Sequence, residues 1–100
     1  MPFPILLAVL AGIAFTAIVV VVFLNWGRIV NWFRNRQSLK QADRDNIAFT
    51  LKDSLNNGKY SVIQGIFNQR TNEVLDAEKY DAGDVCNELK YSREPLTIVT

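Results

Sequence analysis

The chain is 100 residues long, 49% hydrophobic and 21% charged, with a formal net charge of +1, one cysteine and no histidine. That length admits one small domain beside any membrane span. The absence of histidine removes the commonest general base and the commonest transition-metal ligand, and a single cysteine cannot staple the chain internally.

Pro2 and Pro4 precede a run from Ile5 to Leu24 that contains no charge, no amide and no proline. As a helix, those twenty positions would measure about 30 Å, the thickness of a bilayer's hydrocarbon core. Fourteen of them are Leu, Ile, Val or Phe, each favouring insertion by about 0.3 to 0.6 kcal/mol at mid-membrane. The valines of 18–22 lean toward a strand in water, but in lipid a lone segment satisfies its backbone only by closing a helix on itself. A cleavable signal would carry positive charge before the apolar core and small residues after it, and this chain has neither. A buried core helix is usually shorter. The sequence therefore predicts a transmembrane helix over residues 1–25. Within it Ala8, Gly12 and Thr16 recur every four residues and form a candidate helix-packing ridge.

The near-neutral total charge conceals a split. Arg28, Arg34, Arg36 and Lys40 are the only charged side chains up to residue 40, whereas residues 41–100 hold seven basic and ten acidic ones. By the positive-inside rule, cations on only one side of a span hold that side in the cytoplasm. The predicted location is a single-pass membrane protein, N-terminus outside and C-terminal domain cytoplasmic, and the lone Cys86 fits a reducing compartment.

Residues 26–45 read as a juxtamembrane collar and linker. Trp26, Ile29, Val30 and Phe33 fall at offsets 0, 3, 4 and 7, one apolar stripe of a helix. Trp26, Arg28, Trp32, Phe33, Arg34 and Arg36 are the candidate membrane-interface residues, aromatic rings at the headgroup level and arginines reaching anionic phosphates. Three arginines are fewer than a dedicated lipid site carries, so generic anchoring is the expectation.

Residues 46–100 read as a small α+β domain: a three-stranded antiparallel meander, one helix and a final strand. Ile47, Phe49 and Leu51 alternate with polar or small residues, although Ile47, Leu51 and Leu55 also lie at helical spacing. Asn57-Gly58 is a hairpin signal that favours the strand. Lys59 to Asn68 carries apolar groups on both faces and reads as the central strand, with Gly65 marking a bulge or a close approach. Glu73 to Tyr80 reads as an edge strand protected by its charges. Asp81 offers an N-cap, and Ala82, Val85, Cys86 and Leu89 fall at 0, 3, 4 and 7, the face of a short helix. Pro95 ends it, and Leu96, Ile98 and Val99 supply the final strand.

No phosphate loop, nucleophile elbow or paired-cysteine metal motif is present. Asp76, Glu78, Asp81 and Asp84 lack the glycine turn and terminal glutamate of a calcium loop and read as a solvated face. Cys86 on an apolar face reads as a buried thiol. A net charge of −3 beyond residue 40 opposes nucleic-acid binding. The expectation is a non-catalytic protein without cofactor, metal or evident small-molecule substrate. Its expected partners are membrane lipid and either a larger membrane protein complex, in which it is an accessory subunit, or a second copy. The alternative is a membrane-anchored adaptor that recruits a soluble partner, for instance by accepting a strand at a sheet edge.

Overall fold

The computed structural model describes residues 18–54, 57–91 and 96–99. In chain order the elements are β1 (Ile18–Leu24), α1 (Trp26–Arg34), α2 (Gln37–Gln41), β2 (Asn46–Ser54), β3 (Tyr60–Asn68), β4 (Glu73–Val85), α3 (Asn87–Lys90) and β5 (Leu96–Val99). The strands form one mixed sheet in the order β1-β4-β3-β2-β5.

The alternation of apolar residues along 46–68 is resolved as two strands, because pairing Ile47 with Phe67 and Leu51 with Ile63 stacks apolar side chains across the ladder. Between them Gly58 takes φ +78°, where only glycine sits without strain, and the Lys59 N–H donates to Asn57 Oδ1 at 3.1 Å. β3 and β4 are antiparallel, with a register shift at Ile66/Phe67. Gly65 in β3 is a close-approach position. A Cβ there would stand 2.7 Å from the Asp76 carbonyl oxygen and 2.8 Å from the Phe49 ring.

The first fold-level correction concerns the expected span. Residues 18–24 are not helical but extended, paired in parallel with β4 from Ile18↔Lys79 to Leu24↔Val85. The β-branched residues follow their strand propensity once a neighbouring strand supplies the backbone partners that, in lipid, only a helix could have supplied. No helix among the described residues is long and apolar enough to cross a membrane. The single-pass reading, and the orientation with N-terminus outside and domain cytoplasmic, lose their basis with it. Residues 5–17 of the expected span lie outside the described residues.

Two further corrections lie in the second half. From Lys79 onward β4 is flanked by β1 and is not an edge strand, whereas along 73–78 it pairs only with β3 among the described residues. It also runs on to Val85, so the helix expected from Asp81 shrinks to Asn87–Lys90. Pairing with β1 holds residues 81–85 extended, with Val21 opposite Ala82 and Leu24 opposite Val85. The final backbone link is Cys86 N–H to the Leu24 carbonyl at 2.9 Å.

The core gathers these pieces. Leu24, Ile29, Val62, Tyr80, Ala82, Val85, Cys86 and Leu89 form one buried cluster, with Val19, Val21, Trp26, Phe33 and Tyr60 packed against it. Ala82, Val85, Cys86 and Leu89 thus share a core as their spacing suggested, but a strand end and a turn bring them together, not a continuous helix. Each large apolar side chain so buried contributes about 1.5 to 3 kcal/mol.

Candidate functional site

α1 begins at Asn25, whose extended backbone and side chain cap it: Oδ1 accepts from the Arg28 N–H at 2.7 Å. Ile29 and Trp32 are buried on the sheet side. The expected stripe of Trp26, Ile29, Val30 and Phe33 is thereby split. Ile29 enters the core, whereas Trp26, Val30 and Phe33 are half-buried and turn one flank outward.

That flank is the wall of a groove of about 350 Å³ lined by Trp26, Val30, Phe33, Arg34, Gln37, Lys40 and Ala48. α2 supplies the opposite wall. It is tied to the start of β2 by Asn46 Nδ2, which donates to the Leu39 carbonyl at 2.8 Å. Such a volume is at the small end of ligand sites and holds a few side chains of a partner.

The six collar residues fall into two groups. Arg28 and Arg36 are committed internally. The Arg36 guanidinium lies 3.8 Å from the centroid of the Trp32 ring, its Nε donates to Asp76 Oδ2 at 2.7 Å, and its Nη1 donates to the Trp32 carbonyl at 3.2 Å. Arg28 stands over the Tyr80 ring at 5.5 Å, and burial raises the Tyr80 phenol above its ordinary pKa. Trp32 packs edge-on against Phe33, centroids 5.1 Å apart. These contacts clamp α1 to β4. Trp26, Phe33 and Arg34 line the groove instead. Among the described residues neither Arg34 nor Lys40 has an acidic partner, whereas Arg36, Arg70 and Lys90 all do. The Ala8, Gly12 and Thr16 ridge lies outside the described residues.

The β4 carboxylates are not brought together. Asp76 is held by Arg36, and Asp84 faces Lys90 at 3.3 Å, with the Val85 N–H and then Lys90 holding its carboxyl below the usual range. Among the described residues no group of acids and cysteine is placed to hold a metal ion. Cys86 is buried, and burial pushes its thiol up in pKa, which suppresses the reactive thiolate.

Beneath α2 a second polar constellation is internally saturated. Asn68 Nδ2 donates to Asn46 Oδ1 at 2.7 Å and to Asp43 Oδ2 at 3.1 Å. Asn68 Oδ1 accepts from the N–H groups of Arg70 and Thr71 and from the Thr71 hydroxyl. Arg70 also bonds Asp43. The Asp45 N–H, then Arg70, then Asn68 hold the Asp43 carboxyl below the usual carboxylate range.

Sequence reasoning missed Gln37, Lys40 and Ala48 as groove residues, because α2 and β2 meet α1 only through the tertiary fold. It also missed Thr50 and Gln64, register partners on β2 and β3 that are both buried, with the Thr50 hydroxyl and the Gln64 amide lacking hydrogen-bond partners among the described residues. Gln64 was detectable as a full amide in the middle of a central strand. Comparison with protein-family models, with curated proteins and with solved structures finds no match to this chain.

Proposed function

We propose that the chain is a non-catalytic interaction module, working as an accessory subunit of a larger protein assembly or as an adaptor, and that the groove on α1 receives an acidic segment of the partner protein. The observation that carries this reading is the pair of cations without an acidic partner among the described residues, Arg34 and Lys40, on a groove walled by Trp26, Val30 and Phe33. An aromatic and aliphatic wall contributes burial, and the cations select a carboxylate and orient it. Arginine offers a planar fork for bidentate pairing and lysine a mobile point charge, so two acids a helical turn apart could both be met. A buried cysteine and acids already tied to Arg36 and Lys90 support a binding role over a catalytic one.

The test uses the full chain and a tryptophan-free amphipathic peptide with glutamates on one face and leucines on the other. Saturable change in the intrinsic tryptophan fluorescence, abolished in a Trp26→Phe variant and weakening as salt rises, is the expected result. Reversing both charges, Arg34→Glu with Lys40→Glu, should weaken binding roughly tenfold or more, since each lost contact is worth about 1 kcal/mol and becomes repulsive. Equal binding of a peptide with every Glu changed to Gln, or no response to the charge reversal, defeats the reading.

A further inference from the structure

A different part of the molecule, independent of the groove, carries a second surface. β1 is the outermost strand of the sheet and is bonded on one side only, to β4, among the described residues. Its other side therefore presents a row of backbone donors and acceptors. Proteins usually blunt such an edge with charge, proline, a bulge or shortness. The opposite edge strand, β5, is only four residues long. β1 is seven, IVVVVFL, with neither charge nor proline and one constant register against β4 from Ile18↔Lys79 to Leu24↔Val85.

The side chains add to this. Val20 and Val22 are 79% and 89% exposed, and Ile18 and Phe23 are also exposed. A contiguous apolar row on an unprotected edge marks an interaction surface. The parallel pairing reinforces the point, since parallel ladders are slightly weaker per residue and parallel strands are normally covered on all sides.

We infer that two copies of this chain associate through β1, antiparallel about a twofold axis at Val21, into one continuous sheet. The occupant follows from the chemistry of the edge. With no charge from residue 18 to 24, the edge has no means of choosing a charged segment, and what complements an uncharged β-branched row is another such row. A twofold through Val21 sets Val20 of one copy opposite Val22 of the other, Val19 opposite Phe23 and Ile18 opposite Leu24. Every pair joins two apolar residues on the same face, so the surface is self-complementary, as a closed dimer requires. Each exposed valine then gains a cross-strand neighbour, and the free edge disappears.

Sedimentation velocity of the full chain over a hundredfold range of concentration is the test. The expected result is a mass rising from 11.3 kDa to twice that value and no further. Val20→Lys and Val22→Glu should each remain monomeric at concentrations where the parent is dimeric. Because Val20 and Val22 face each other across the axis, an equimolar mixture of the two variants should recover the dimer. Where either variant fails to fold, amide hydrogen exchange of the parent chain decides: the outward amides of β1 should gain protection at least tenfold as concentration rises. A parent chain that stays monomeric throughout overturns the inference, as does a dimer indifferent to both substitutions, β1 amides whose exchange is independent of concentration, or growth to open-ended oligomers.

Discussion

The polar corner beneath α2 and the groove beside it both draw on the stretch from α2 to the start of β2, yet treat their charges oppositely. In the corner Asp43, Asn46, Asn68 and Arg70 satisfy one another, and Asn68 alone joins three chain segments. In the groove Arg34 and Lys40 have no acid to meet among the described residues. A charge spent on internal partners supports the fold, and one left over is available to something else. The Arg28 and Arg36 contacts repeat the distinction within nine residues of chain, because residues of the same chemical type as Arg34 are there locked onto Tyr80 and Trp32.

The largest effect should come from emptying the corner. Asn68→Ala removes two donated and three accepted hydrogen bonds and strands the buried Asn46 Oδ1, a loss on the order of 2 to 4 kcal/mol in a urea melt. Arg36→Ala breaks the stack on Trp32 and the ion pair with Asp76 and should cost about 1 to 2 kcal/mol by the same measurement. A loss as large as that of Asn68→Ala would mean that the collar, not the corner, holds α1 and α2 in place.

Acid sharpens the comparison from another side. The Asp43 carboxyl has a folded pKa below its unfolded value, so its contribution is complete above about pH 4 and is lost as pH falls through the lower, folded value. Asp84 acts in the same direction. Stability should therefore decline below about pH 4 in the parent chain, and Asp43→Asn should flatten part of that decline while lowering stability at neutral pH. Identical acid limbs for the two proteins would remove Asp43 from the account. Smallest of all, the Arg34 and Lys40 charge reversal should change stability by less than about 0.5 kcal/mol while weakening peptide binding roughly tenfold or more.

What could be read from the sequence was local. The alternation of 59–68 and the Asn57-Gly58 turn locate β3 and its hairpin because both signals act over a few residues. The Trp26 stripe marks α1 as amphipathic for the same reason. The run IVVVVFL was misread because its conformation depends on whether a neighbouring strand is present, and that strand lies far along the chain in β4. The helix expected from Asp81 fails similarly, since offsets of 0, 3, 4 and 7 also suit a strand end followed by a turn when another strand pins the first part. Which collar arginines are clamped, and which has no acidic partner among the described residues, depends on where Tyr80, Asp76 and Trp32 lie in the fold. Asn46 and Asn68 carry no signal at all until the hairpin makes them neighbours.

The parallel pairing of β1 also governs the order in which the molecule assembles. β2, β3 and β4 meet through short turns, whereas Ile18 reaches Lys79 only by closing a loop of about sixty residues, an entropic cost due before any contact across it is made. The meander should therefore form first and β1 dock last, with the Leu24 carbonyl and the Cys86 N–H closing the final link. By the same route the strand is the first to leave, so the native molecule should exchange with a form in which the meander persists while β1 has come away from β4, an opening unit of lower free energy than global unfolding.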